Sequence, residues 1–313
     1  MIAFKRILTV TLTSTKLKKS ITFGDGYLKG EDDLNIHVQA YKYMSTLKDT
    51  ATVKISNIPY DTIVGLIDGE FYDVEIKAGY QTTGAQTLFK GGVLYITNSI
   101  TNIKDHTLII LCASWLVARY GQARINLTLN SGINVYSAIN YISKKAGIGN
   151  ANISSKLKLQ KLQNSMTVDS TAGTWIDNLV KNNQSYIANS DGITDAAFSV
   201  FDSKKSNQRY IPIKENMILT EGWPRLSKDG LEFTMLPLFG FMCGDTIKID
   251  NSIIDISSKS QSEANQQKGY YLDQNGNYMI FEITYSLANR DDEFTCQLLC
   301  KSRSLISNYI GVQ

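Results

Sequence analysis

VLYITNSITNIKDHTLIILCAS, residues Val93 to Ser114, decides how this 313-residue chain is read. A second stretch near the C-terminus, FEITYSLANRDDEFTCQLLCKS (Phe281 to Ser302), repeats its pattern without a gap. The offset is 188 at both ends (281 − 93 and 300 − 112), which sets Cys112 on Cys300, Leu111 on Leu299 and Tyr95 on Ile283. Few residues are identical. What recurs is two alternating runs around a polar turn.

Successive side chains of a strand point to opposite faces, so residues two apart share a face. In the second stretch Phe281, Ile283, Tyr285 and Leu287 form one apolar row, and Phe294, Cys296, Leu298 and Cys300 the other. ANRDDE between them is a run of turn formers and charges. The first stretch gives Val93, Tyr95 and Thr97, then Leu108, Ile110 and Cys112. Its opposite face is apolar too, with Leu94, Ile96, Ile109 and Leu111. The second stretch puts Glu282, Thr284, Gln297 and Lys301 there. The first hairpin is therefore expected to be covered on both sides and the second to be wetter on one.

Each hairpin is preceded by a short strand entered through glycine and an acidic residue: GEFYDVEIKAGY (Gly69 to Tyr80) and GDTIKID (Gly244 to Asp250). The second connection is longer, and its extra residues include the polar run SSKSQSEANQQKG. The pattern predicts two related β-domains with something inserted between them.

Length agrees, because single cores rarely grow beyond about 250–300 residues. Hydrophobic content of 43 % supports real cores, and four prolines leave no Pro-rich linker. A net charge of +3 is too small to argue for nucleic acid or an anionic membrane. Cys112, Cys243, Cys296 and Cys300 follow no metal or disulfide spacing and read as buried thiols in a reducing compartment. The start, MIAFKRILTVTLTSTKLKKS, alternates with threonine and reads as a first strand rather than a signal peptide. No apolar run is long enough to span a membrane, so no stable membrane insertion is expected.

Residues 1–114 read as a first β-domain, with strands at Leu34–Tyr43 and Ala51–Ile58 and a helix at Pro59–Asp68 that presents Ile63, Leu66 and Ile67. Residues 115–222 read as an α+β module. One helix covers Ile133–Gly147, with Ser131 as candidate N-cap and Gly147 as stop; a second covers Ser170–Gln184. Short strands follow at Ser185–Ala188, Ala197–Phe201 and Gln208–Ile213. Residues 223–313 return to β. The fold class is mainly β with an α+β insert: two related tube-like β-barrel or sandwich domains flanking a small module.

No catalytic equipment is visible. His37 and His106 are the two histidines, and nothing supplies the three or four close ligands of a zinc site. There is no G-x-S-x-G elbow, P-loop or G-x-G-x-x-G. FKGG (Phe89 to Gly92) precedes a strand and is no phosphate cradle. Asp191, Asp195 and Asp202 read as solvated loop acids, and Trp115, Trp175 and Trp223 as core or edge residues. No catalytic, metal or cofactor site is expected, and the residues alone point to a structural or interaction protein.

Several stretches resemble the baseplate hub, or late-control, proteins of contractile phage tails. ATVKISNI (Ala51–Ile58), FYDVEIKAGY (Phe71–Tyr80) and LFKGGVLYIT (Leu88–Thr97) look like the family's first tube-like domain. NVYSAINYISKKAGI (Asn134–Ile148) and AGTWIDNLVKNNQSYI (Ala172–Ile187) look like its two middle helices. LPLFGFMCGDTIKID (Leu236–Asp250) and GNYMIFEITYSLANRDDEFTCQLLCKS (Gly276–Ser302) look like its last domain. The resemblance runs over residues 5–303; where the family often has a histidine, this chain has Tyr285 or Ser286.

The resemblance implies a homotrimer. Each chain would give two one-sixth segments to a pseudo-hexameric ring that adapts the hexameric tail tube to the trimeric central spike and lines the ejection channel. Implied partners are the tube protein, a spike on a separate polypeptide, and tape-measure or other baseplate proteins, with DNA only in transit. The implied place is the virion tail baseplate, after synthesis in the host cytoplasm. The apolar-on-both-faces hairpin marks Val93, Tyr95, Ile96, Leu108, Ile109 and Leu111 as ring-interface candidates. Alternatives are a distal-tail or injection-machine component of the same ancestry, a glycan-binding β-sandwich argued from tyrosine content, and a glycan hydrolase, which would need paired acids in a cleft.

Overall fold

The computed structural model describes residues 6–24, 34–44, 49–102, 105–114, 123–190, 196–202, 210–227, 229–255, 272–273 and 275–302. The start of the chain, Trp115, Asp191, Asp195 and the polar run before Gly269 lie outside the described residues, as does the Asp202 side chain.

Two hairpins open the chain: β1 (Arg6–Ser14) with β2 (Lys19–Gly24), and β3 (Ile36–Tyr43) with β4 (Thr50–Ser56). Helix α1 (Tyr60–Asp68) leads into β5 (Asp73–Tyr80), β6 (Gly84–Asn102) and β7 (Asp105–Ser114). Ile63 and Leu66 of α1 are buried, but Ile67, expected beside them, is exposed. The helix covers the sheet with a stripe too narrow for a third residue.

The middle of the chain forms β8 (Arg124–Leu129), α2 (Val135–Ala146), β9 (Ala151–Ile153), β10 (Met166–Thr171), α3 (Ala172–Asn182), β11 (Ser185–Asn189) and β12 (Phe198–Asp202). The cap of α2 is Asn134, not Ser131: its side chain accepts the Ser137 N–H at 2.7 Å. Gly147 ends the helix in the left-handed region, φ 71°. Strand β8 pairs with β10, and β11, β12 and β9 form a separate sheet. These elements pack around their own core, from Ile125 to Val200.

The chain then gives β13 (Tyr210–Pro212), β14 (Arg225–Ser227), β15 (Gly230–Met235), β16 (Thr246–Lys248), β17 (Asn277–Ala288) and β18 (Phe294–Ser302). These strands join β1–β7 in one 13-stranded sheet around one shared core. Strand β13 pairs with β16, so the chain has already returned to the large sheet by Tyr210.

The strand order repeats. One half reads β3–β4–β7–β6–β5–β1 and the other β14–β15–β18–β17–β16–β13. Each member keeps its place in chain order. The halves differ at the end, where β1 runs antiparallel to β5 but β13 runs parallel to β16. The sheet is an open path from β14 to β2 among the described residues, not a closed barrel. The halves meet where β17 pairs with β3, from Glu282 opposite Tyr43 to Ala288 opposite His37.

Candidate assembly surface

Both hairpins carry a β-bulge, and the bulge decides which side chains reach solvent. In β6 the pairing steps from Val93 opposite Cys112 to Tyr95 opposite Leu111, leaving Leu94 as the extra residue. In β17 it steps from Ile280 opposite Cys300 to Glu282 opposite Leu299, leaving Phe281 extra. An extra residue shifts the alternation of everything after it.

Val93 and Tyr95, expected in one row, therefore separate. Val93 is half-buried against the core, while Tyr95 is 57 % exposed. Cross-strand partners set Tyr95 in the place of Glu282 and Ile96 in that of Ile283, one position from the ungapped match. The swap fits the chemistry: Tyr95 and Glu282 are exposed, Ile283 is buried and Ile96 packs partly on the core. Both strands carry the first bulge at the same place, so the offset arises towards the turn, where β6 has a second bulge, between Ile100 and Asn102, that β17 lacks.

Of the six residues expected at an interface, Leu108 is fully buried inside the chain and is not on the surface. Val93, Ile96 and Ile109 are half-buried, and Tyr95 and Leu111 are exposed. The structure adds Leu94 and Ile100, 57 % and 61 % exposed. Leu111 lies between Tyr95 of β6 and Thr52 of β4, and Ile109 between Thr97 and Lys54. Gly91 lets the hairpin close: a Cβ there would stand 2.1 Å from the Ala113 carbonyl oxygen.

The corresponding position on the other half is covered. Phe281 is buried, with the Tyr186 ring of β11 at 5.3 Å and the Lys301 ammonium 4.5 Å above its own ring. Burial lowers the Lys301 pKa, while Asp229 and Glu282 oppose it. The α+β module thus rests on one bulge, and the equivalent Leu94 stays open.

Beside the apolar residues runs a polar groove of about 340 Å³, lined among others by His37, Gln39, Thr52, Lys54 and Ser286. His37 Nε2 lies 2.7 Å from Asp291 Oδ2. His106 makes a long contact of 3.5 Å from Nδ1 to Asn98 Nδ2. Among the described residues no group of three His, Cys, Asp or Glu is placed to hold a metal ion. The four cysteines are buried free thiols, and burial raises the Cys112 pKa to about 12. Trp223 is 40 % exposed and Trp175 packs on the module core.

Solved structures that share this fold include phage tail proteins and a type VI secretion component. The prophage MuSo2 43 kDa tail protein of Shewanella oneidensis aligns with a TM-score of 0.60 at 8 % identity, over 95 % of this chain and 97 % of that one. The E. coli c3393 protein is described as a type VI secretion component similar to the T4 tail proteins gp27 and gp5. It aligns at 0.57 and 11 % identity, over 88 % and 75 %. A chain of the half-lidded Francisella PdpA–VgrG complex aligns at 0.53 and 8 %, over 96 % and 58 %. No curated protein matches the sequence. The class is therefore a phage-tail fold built on a duplicated β-sheet unit. The family described as baseplate hub gp41 matches residues 58–300, and the chain belongs to it. It is a structural protein of the phage tail baseplate.

Proposed function

We propose that three copies of this chain form a ring of six β-units around a channel, joining the hexameric tail tube to a trimeric central spike. One observation carries the reading: the same six-strand order occurs twice in one chain. Two equivalent units per chain make three copies the natural match to sixfold partners, and a closed ring needs complementary, unlike edges. The ring seam draws on Tyr95, Ile109 and Leu111 with Leu94, and Val93 and Ile96 support them from below. Residues 1–114 and the sheet strands from Tyr210 to Ser302 supply the ring, and the α+β module between them is set against it.

The spike, the tube protein and tape-measure or other baseplate proteins are the partners, with DNA passing only in transit. A complex that contains VgrG has a chain of this fold, which supports a place beside a spike. The protein is made in the host cytoplasm, ends in the virion tail, and performs no catalysis. Native mass measurement with electron microscopy of the purified chain tests the ring. A trimer with a central opening is expected; a folded chain that stays monomeric or dimeric at micromolar concentration overturns it.

A further inference from the structure

Strand β17 has two different neighbours along one edge. Before its bulge it pairs with β16, from Asn277 to Met279; after the bulge it pairs with β3. Strand β6 begins the same way, pairing with β5 as far as Gly92 opposite Asp73. Beyond Leu94 it keeps β7 on one side, and no strand lies on the other among the described residues. Among the described residues, nothing on β6 takes the place that β3 fills on β17. Leu94, Tyr95 and Ile100, all exposed, crowd this open edge. Unpaired edges flanked by apolar side chains are sites of strand addition.

The strand equivalent to β3 is β14, the end strand of the sheet. It does not pair with β6 of its own chain. Seven strand steps separate them along the path, ~34 Å at the usual spacing. We propose that β14 of a second copy pairs with the open half of β6, so that each seam between chains repeats the β17–β3 junction within a chain. This rests on the ring reading above and fixes its seam.

The register follows from the pairings. Thr52 of β4 lies opposite Gln39 and Leu111, and Glu232 of β15 lies opposite Arg225 and Leu299. Arg225, Leu226 and Ser227 therefore take the places of Gln39, Ala40 and Tyr41. Those three face Ser286, Tyr285 and Thr284, whose equivalents on β6 are Ser99, Asn98 and Thr97. Thr97 meets the partner subunit's Ser227, Asn98 the partner's Leu226, and Ser99 the partner's Arg225. In the single chain, Asp255 guards this edge of β14. Its N–H donates to the Pro224 carbonyl at 2.8 Å, and its carbonyl accepts the Leu226 N–H at 3.1 Å. Pairing with β6 exchanges those two bonds for a ladder.

Oxidative cross-linking of the full chain tests this. Ser99→Cys with Arg225→Cys places two thiols opposite each other across the seam; both positions are exposed and the native cysteines are buried. Thr97→Cys with Ser227→Cys is a second pair in the same register. Disulfide-linked dimers and trimers are expected from both pairs, at least tenfold above either single variant and above Lys90→Cys with Arg225→Cys. If the chain sediments as a trimer but neither pair cross-links above these controls, the seam is wrong and the ring stands. If the folded chain does not associate, both fall.

Discussion

Gly91 and the cysteines show how single residues limit this fold. Gly91 lies where β6 passes β5 and β7, and any Cβ would enter the Ala113 carbonyl. Gly91→Ala should lower stability by about 1–3 kcal/mol or more through backbone displacement, seen as a lower urea midpoint. The buried thiols give a pH dependence with a definite sign. Cys112 ionises near 9 when exposed and near 12 when folded, because burial disfavours the thiolate. Burial also raises Cys296 and Cys300. A raised folded pKa means stability is full below pH 9 and is lost as pH climbs from 9 towards 12. Urea midpoints should be flat from pH 7 to 8.5 and fall above pH 9. A thiol reagent should react with none of the four in the native chain and with all four in denaturant.

At the level of elements, caps and bulges decide more than propensity. Asn134→Ala removes the side chain that holds the first turn of α2 and should cost about 1 kcal/mol, read from thermal unfolding. The bulges turn Tyr95 outward on β6 and set Phe281 under Tyr186 on β17. If the apolar hairpin is the seam, Ile109→Asp buries an unpaired charge between chains. It should weaken association by about 3 kcal/mol, roughly a hundredfold. Gln297→Asp, at the equivalent position of the other half, should change it less than threefold. Sedimentation at matched concentrations separates the two, and an Ile109→Asp trimer as tight as wild type would count against the seam.

The whole molecule is one large sheet with a module set on it, and its family places it in a phage baseplate. The expected behaviour is mechanical. Elemental analysis of the purified chain should find less than one zinc per ten chains, and a zymogram should show no peptidoglycan clearing. Stoichiometric zinc would require a site that the described residues do not form, and a clear band would overturn the structural reading. The pairing of β17 with β3 also predicts how the chain unfolds. The two β halves are joined by one strand pairing and share a core, so they should lose structure together, whereas the module has its own core and can open separately.

Local patterning determined a good deal by itself. Alternation in β1, β3, β4, β17 and β18, the helical spacing of α2 and α3, and the resemblance between the two hairpins were all legible, because each depends on side chains a few residues apart. Tertiary structure decided the rest. The bulge at Leu94 exists only in relation to β7, so no window along β6 contains it. Leu108 and Leu111 look alike in sequence, yet one is in the core and the other on the surface, since burial depends on what packs against each face. Both β halves were visible as separate stretches. That they join through β17 and β3 is a contact between residues some 240 positions apart, set by edge geometry that composition does not encode.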